Sequence, residues 1–312
     1  MVEKMALNES EVIELLASIF ATRDQRLLVG IGDDAAVVAG FSHQILTTDI
    51  AVEGVHFKKE WSSAYEIGQR IAAANIADVL SMNGQCDYLL VAASLTGGET
   101  LQWIGELAQG IADAAQKVGA IVVGGDISQS PALQFAITAV GHSEKVITRR
   151  GAQVGDAIYL SSLTGWSAAG LHLLSNSIGA DSDGAQEALQ QYKAPTLDLN
   201  IDFSRANAMA DVSDSVLVQI NQIAKASGVA VHLSLIEIEK SEEFARLNNL
   251  AQEFGVEIWQ WILAGGEDHA LIATGHDLPG IKIGEVVEGE GVEIFDHEGR
   301  KKVAPVSWSH FS

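Results

Sequence analysis

The pattern of hydrophobic and polar positions changes period several times along the chain. The capping box formed by Ser63 and Glu66 begins an amphipathic stretch that predicts a long helix to about Met82. Short apolar runs at 88–95 and 120–123 instead predict buried strands. Because strands and helices alternate in this way, the chain is predicted to be an α/β protein.

A polar stretch over 143–156 separates two such alternating halves and reads as a linker. The chain has 312 residues, which is enough for two ordinary domains. We therefore predict an N-terminal domain over 1–149 and a C-terminal domain over 150–312.

Several apolar runs lead directly into aspartates flanked by glycine or threonine. Asp33 follows the first run, Thr47, Thr48 and Asp49 follow the second, and Asp126 follows a later run that ends in two glycines. We interpret this as one device used three times, a buried strand that delivers an aspartate at its end. Carboxylate and hydroxyl oxygens are ligands for Mg²⁺ or Ca²⁺, so these positions predict metal binding.

Further acidic positions lie on predicted helices or at their starts. Asn75 and Asp78 are three residues apart and share a face of the predicted long helix. Asp211, Ser213 and Asp214 precede another helix. Ser213 or Asp214 could be its N-cap, and an ion or phosphate site is an equally good interpretation.

Composition excludes several classes of partner. With 41 acidic and 19 basic residues, the formal charge is −22, which disfavours nucleic acid and anionic membranes. The single cysteine, Cys86, excludes an intramolecular disulfide and fits a cytoplasmic location. The N-terminus has no apolar run typical of a signal peptide, and the longest uncharged run is interrupted by polar residues.

Motif searches narrow the chemistry to metal-assisted phosphoryl transfer. The chain has no Walker-type phosphate loop, no HExxH motif and no nucleophile elbow. The stretch 30–35 matches G-x-G-x-x-A, but Asp33 and Asp34 within it would repel a bare pyrophosphate. Several divalent ions would remove that repulsion, and phosphoryl transfer depends on such charge neutralisation. Few basic residues lie near these motifs, and Arg149 is the best placed of them, so most of the positive charge on the phosphates must come from metal ions.

At this point the motifs resemble a known family. The chain resembles thiamine-monophosphate kinase in order over nearly its whole length, from about residue 10 to 311. The segments that carry the resemblance are GIGDDAAV, TTDIAVEGVHF, ADVLSMNG, GGDISQS, TRRGAQVGD, ADVSDS, LAGGEDHAL and WSHF. That family shares a superfamily with aminoimidazole ribonucleotide synthetase and selenophosphate synthetase. GDDAAV and GGD are typical of the whole superfamily, whereas TTDIAVEGVHF, GGED and the aromatic tail are more specific to the kinase.

The resemblance implies ATP-dependent phosphorylation of thiamine monophosphate to thiamine diphosphate by direct in-line transfer in a cytoplasmic enzyme. It implies an α/β (α+β) fold with two domains, in which the N-terminal mixed sheet forms a barrel in a homodimer and binds metal and ATP. The C-terminal α/β sandwich-like domain would complete the nucleotide and substrate site. Carried over by motif position, the Mg²⁺ ligands are Asp33, Thr47, Thr48, Asp49, Asp78, Asp126, Asp211 and Asp214; the ATP contacts are Gly125, Asp126, Arg149 and Ser213; and the substrate contacts are His56, Glu267, Asp268 and Trp308.

The chain departs from the family pattern at a few positions. Ser215 stands where the family has glycine, and His269 and Ala270 stand where it has an aromatic residue and an acid. Two alternatives stay open, and the departures at 215 and 269 bear on the second of them. One is a related ATP-dependent synthetase or cyclo-ligase, and the other is a nucleotide- or metal-binding homologue without catalysis.

Overall fold

The structure is a computed structural model that describes residues 9–29, 37–38, 40 and 43–305. The chain divides into two compact units. The first unit comprises Met1–Val79 and Gly84–Glu144, and the second comprises Leu80–Asn83 and Lys145–Ser312.

The first unit is built around a four-stranded mixed sheet with the strand order β3-β6-β4-β5. β4 and β5 are parallel, whereas β6 is antiparallel to both β3 and β4. A short antiparallel pair, β1 and β2, lies outside this sheet. The elements are α1 Glu9–Ile19, β1 Leu27–Val29, β2 Val37–Val38, β3 Gln44–Val52, α2 Ala64–Ser81, β4 Gln85–Leu95, α3 Leu101–Lys117, β5 Ile121–Gln129 and β6 Gln134–His142.

One face of this sheet is covered and the other is open. Residues of β6 alternate between buried and half-buried, with Phe135 and Ile137 almost fully buried on the covered face. The ring of Trp103 on α3 lies 6.4 Å from that of Phe135, so α3 packs on this face. On the opposite face, large apolar side chains of β3 and β4 are exposed: Leu46 at 66%, Ile50 at 54% and Leu90 at 37%.

The second unit contains a seven-stranded sheet with the strand order β13-β12-β9-β11-β7-β10-β8. β12 and β9 are parallel, and the other neighbours in this sheet are antiparallel. A core that includes Ile158, Ile220 and Ile272 joins the sheet to its helices. The elements are β7 Ala157–Leu160, α4 Trp166–Ser175, α5 Asp183–Lys193, β8 Ala208–Asp211, α6 Val216–Ser227, β9 Ala230–Ser234, α7 Leu235–Ile238, α8 Glu242–Glu253, α9 Ile258–Ala264, β10 Leu271–Gly275, β11 Ile281–Val287, β12 Gly291–Phe295 and β13 Lys301–Lys302.

The predicted mixture of helices and strands is confirmed, but one predicted strand ending is wrong. β5 does not stop at 123 and continues to Gln129, so Asp126 lies within a strand. Asp49 likewise lies within β3. The glycine before Asp126 explains the continuation, because a Cβ on Gly125 would lie 1.9 Å from the carbonyl oxygen of Val91 on the parallel neighbour β4. Glycine thus permits close strand pairing at this point instead of ending the strand.

Within the part of the chain that the structure describes, no helix is both long and apolar enough to cross a membrane.

Candidate functional site

In the first unit, α2 holds the edge strand β3 through two polar side chains. Thr47 Oγ1 donates a hydrogen bond of 2.6 Å to Asp78 Oδ2. One turn earlier on the helix, the buried side chain of Asn75 accepts from the backbone N–H of Asp49 at 3.1 Å. The shared helix face predicted for Asn75 and Asp78 therefore meets β3. The carboxylate of Asp49 lies beside this contact on an exposed residue.

Asp126 lies on the opposite edge of the same sheet. The strand register aligns Asp49 with Ile137, then with Val91, and then with Gly125, which precedes Asp126. Three strand spacings separate the two edge strands, about 14 Å. Because Asp126 is one position further along, side-chain alternation also places it on the other face from Asp49. Within one sheet, these carboxylates do not share an ion.

The donor set in the first unit suits an ion that also binds phosphate oxygens. Among the described residues, no three His, Cys, Asp or Glu side chains form a group that could hold a metal ion. The oxygens of Thr47 and Asp78 nevertheless converge. Mg²⁺ is commonly bound by one or two carboxylates together with phosphates and water, and it rarely uses an all-protein cage. The residues present therefore fit Mg²⁺ carried by phosphates.

In the second unit, the two acidic loops at 211–215 and 265–269 pack side by side. The backbone N–H of Glu267 donates to the carbonyl oxygen of Ser213 at 2.6 Å, and that of His269 donates to Val212 at 3.1 Å. A Cβ on Gly266 would lie 2.4 Å from the carbonyl oxygens of Ser213 and Asp214. Glycine is required there because the two backbones nearly touch.

The helix after the first of these loops begins later than either candidate cap. Ser215 is the N-cap of α6, and its hydroxyl accepts from the backbone N–H of Val218 at 3.1 Å. The side chains of Ser213 and Asp214 are thus not used as N-caps. The prediction that one of them caps the helix, which was weighed equally with an ion or phosphate site, is wrong. Ser215 is fully buried in this role.

A buried histidine connects the ends of the two loops. His269 Nδ1 lies 3.4 Å from Asp211 Oδ2, and both residues are almost fully buried. His269 Nε2 lies 3.9 Å from Glu267 Oε2. Glu267 itself is 42% exposed and has φ of 66°, while His269 has φ of 54°. These left-handed values mark a strained backbone at the loop.

Asp268 is placed differently from the predicted substrate contact. Its two carboxylate oxygens accept from the backbone N–H groups of Gly165 at 2.7 Å and Ser167 at 2.9 Å, at the start of α4. Burial raises the pKa of Asp268 to about 6, although these two hydrogen bonds act in the opposite direction. A buried carboxylate with both oxygens bonded to a helix N-terminus supports the loop. This geometry does not support direct contact between Asp268 and a substrate.

Two predicted ATP contacts are connected by a residue that the sequence did not single out. Gln219 lies on α6 and is almost fully buried. Its Oε1 accepts from Arg149 Nη2 at 3.3 Å, and its Nε2 donates to Ser213 Oγ at 3.2 Å. The signal available in the sequence was a single amide among the apolar positions of a helix.

His56 lies in the loop after β3. Its Nδ1 accepts a hydrogen bond of 3.1 Å from the backbone N–H of Val52. A ring nitrogen that accepts in this way carries no proton, so the neutral ring bears its proton on Nε2. His56 is thereby oriented as a hydrogen-bond donor.

The remaining predicted site residues divide into two groups. Thr48 Oγ1 donates to the carbonyl oxygen of Ile137 at 3.0 Å and accepts from Thr138 Oγ1 at 3.2 Å. Asp33, its neighbour Asp34 and Trp308 lie outside the described residues.

Comparison with known proteins gives these positions a family context. Residues 32–143 match the model for the AIR synthase related protein, N-terminal domain. A thiamine-monophosphate kinase from Corynebacterium glutamicum is 34% identical over 78% of this chain and 76% of the relative, and one from Aquifex aeolicus is 31% identical over 98% and 100%. A solved structure described as AaThiL complexed with AMPPCP and TMP has a TM-score of 0.78 and 29% identity, and the match covers 100% of this chain and 99% of that one. With the same succession of motifs and this coverage, the chain belongs to the thiamine-monophosphate kinase family.

Proposed function

We propose that this protein transfers the γ-phosphoryl group of ATP to the phosphate of thiamine monophosphate, by direct in-line transfer assisted by Mg²⁺. The observation that carries the proposal is the full-length similarity to AaThiL complexed with AMPPCP, an ATP analogue, and TMP. The two packed acidic loops and the strand β3 with α2 supply the polar groups that this reaction requires.

The nucleotide would be contacted by Gly125 and Asp126 of the N-terminal domain and by Arg149 and Ser213. Arg149 is exposed and carries a permanent positive charge, which suits a phosphate ligand. Ser213 is half-buried and is not used as a helix cap. Both side chains belong to the second unit and can donate hydrogen bonds to phosphate oxygens.

Several Mg²⁺ ions would be held by oxygens only. Bound Mg²⁺ neutralises phosphate charge and stabilises the leaving group. The chain's own part is to place hard oxygen donors on rigid elements, as α2 does when it fixes β3 through Asn75 and Asp78. The proposed ligands are Asp33, Thr47, Thr48, Asp49, Asp78, Asp126, Asp211 and Asp214.

The acceptor would be recognised by its phosphate and by its cationic ring. His56 presents its Nε2–H to the phosphate because Nδ1 is engaged by Val52. Glu267 is exposed enough to place its carboxylate near a cation. Trp308 would stack on the positively charged thiazolium ring, an interaction worth roughly 0.5–2 kcal/mol.

We further propose that two copies associate through the first unit. This unit would correspond to the N-terminal domain at 1–149, and the C-terminal domain at 150–312 would complete the site. The support is the open sheet face with exposed Leu46, Ile50 and Leu90, because monomers rarely leave such a face in water. Closure of two four-stranded sheets into a barrel would bury this face and remove the free edges of β3 and β5. Light scattering at micromolar concentration should give the mass of a dimer.

The test of the reaction is ADP release measured with and without thiamine monophosphate, with thiamine diphosphate identified by chromatography. We expect ADP and thiamine diphosphate in equal amounts, both dependent on Mg²⁺. A synthetase would release ADP and free phosphate with an amide-type acceptor. A homologue without catalysis would bind ATP and release nothing, and either result would overturn the proposal.

A further inference from the structure

We propose that Gln219 is a positioning residue that sets two hydrogen-bond donors, the Arg149 guanidinium and the Ser213 hydroxyl, for the triphosphate of ATP. The inference rests on the proposed ATP site and adds to it a residue that does not itself touch the nucleotide. The observation behind it is the chain of hydrogen bonds from Arg149 through the buried amide of Gln219 to Ser213.

The position of Gln219 in its helix makes a polar side chain unexpected. It lies on the buried face of α6 together with Val216, Ile220 and Ile223, and it is only 1% exposed. A buried amide is costly unless its oxygen and its nitrogen are both bonded. In this structure one end of the amide bonds Arg149 and the other bonds Ser213, so the side chain is accommodated by the two contacts it makes.

The orientation of the amide follows from the chemistry of its partners. A guanidinium can only donate hydrogen bonds, so Arg149 must meet the oxygen of Gln219. The nitrogen of Gln219 is then forced towards Ser213 Oγ, where it donates. Because the Ser213 oxygen already accepts this bond, the hydroxyl proton of Ser213 is directed to another acceptor. A phosphate oxygen is such an acceptor.

The same helix also fixes the backbone that carries Arg149. Ser227, in the last turn of α6, donates its hydroxyl to the carbonyl oxygen of Arg149 at 3.2 Å. That hydroxyl accepts from the backbone N–H groups of Gly151 at 3.2 Å and Ala152 at 3.1 Å. α6 therefore holds the arginine twice, at the backbone through Ser227 and at the guanidinium through Gln219.

Two substitutions of similar size distinguish the hydrogen-bonding role of Gln219 from a role in core packing alone. Gln219→Met keeps the volume and removes both hydrogen bonds. Gln219→Glu keeps an acceptor for Arg149 but removes the donor to Ser213, and it would draw the Ser213 proton towards the new carboxylate. Asn221→Glu is the matched control, because it adds the same charge at an exposed position of the same helix.

The experiment measures AMPPCP binding by calorimetry with Mg²⁺ and no thiamine monophosphate, followed by steady-state kinetics and melting temperature. We expect the dissociation constant of AMPPCP to rise about 5- to 30-fold in Gln219→Met and more in Gln219→Glu. The KM for ATP should rise in parallel, whereas the KM for thiamine monophosphate and the binding by Asn221→Glu should stay within about twofold of wild type.

A double-mutant cycle with Ser213→Ala distinguishes positioning from independent effects. If Gln219 acts through Ser213, Gln219→Met should cost less in the Ser213→Ala background than in wild type. Fully additive losses, or a lower melting temperature with unchanged AMPPCP affinity, would overturn the proposal. Gln219→Glu provides the same comparison if Gln219→Met does not fold. If the protein binds AMPPCP but shows no turnover that depends on thiamine monophosphate, the proposed reaction is refuted, while the positioning role of Gln219 in nucleotide binding is not.

Discussion

The distance between Asp49 and Asp126 leads to a prediction about how active sites are shared between copies. Both are proposed metal ligands, yet they lie on opposite edge strands of one sheet, about 14 Å apart by strand spacing. If two sheets close into a barrel, β5 of one copy would lie beside β3 of the other. Each site would then take Asp126 from one copy and Asp49 from its partner, as ligands of separate ions because the two side chains lie on opposite faces of the sheet.

Subunit mixing tests this arrangement. Asp49→Asn and Asp126→Asn each remove one charged ligand, so each homodimer should lose activity by orders of magnitude. In a mixed dimer with one variant in each copy, one site would carry both substitutions and the other would carry neither. Mixed dimers isolated with two different affinity tags should therefore recover about half of the wild-type activity per dimer.

The matched control pairs Asp49→Asn with Asp78→Asn. Both residues belong to the contact between β3 and α2, so they serve the same site. Every site in that mixed dimer would lack one ligand, and we expect no recovery. If the mixture of Asp49→Asn and Asp126→Asn is also no more active than its parents, each copy builds its site alone and the barrel arrangement is wrong.

Three further predictions follow from the site. Asp268→Ala should lower the free energy of unfolding by about 1–3 kcal/mol, measured by calorimetry, because it leaves two helix amides unbonded; an unchanged melting temperature with a raised KM for thiamine monophosphate would instead make it a substrate contact of the kind proposed for Glu267. Gly266→Ala should reduce kcat/KM by roughly 10- to 100-fold, since its Cβ would separate the two packed loops; near-normal kinetics would contradict this. His56→Gln should raise the KM for thiamine monophosphate less than His56→Leu does, because an amide can accept from Val52 and still donate; equal effects would argue against a donor role.

Structural features that depend only on residues close in sequence, such as a helix start or a shared helix face, were predicted correctly. The capping box was correct, since the backbone N–H of Ser63 donates to Glu66 at 2.7 Å at the start of α2. The shared face of Asn75 and Asp78 was also correct, because helical spacing alone determines it. Such features are readable because no distant part of the chain can change them.

Features that depend on distant contacts were missed or misread. The apolar run before Asp126 seemed to end at two glycines, but one of them allows a parallel strand more than 30 positions earlier to approach. Gln219 stood out only as an amide among apolar helix positions, and its role could not be predicted because its partner Arg149 lies 70 positions away. Ser213, Asp214 and Ser215 are all good caps by residue type, and only the packing of the neighbouring loop selects the last of them.

Asp268 is an example of a buried residue that shapes the candidate site without contacting a substrate, because it fixes the strained loop that carries Glu267. Glu267 and His269 both have positive φ, which costs roughly 1–3 kcal/mol for each residue of this kind. Their backbone N–H groups bond the facing loop, and the carboxylate of Asp268 between them bonds the start of α4. These contacts offset the strain and hold the backbone in a shape that the loop alone would not adopt. The exposed carboxylate of Glu267 takes its direction from that backbone. Loss of the buried acid should therefore affect substrate recognition only indirectly, through the position of its neighbour.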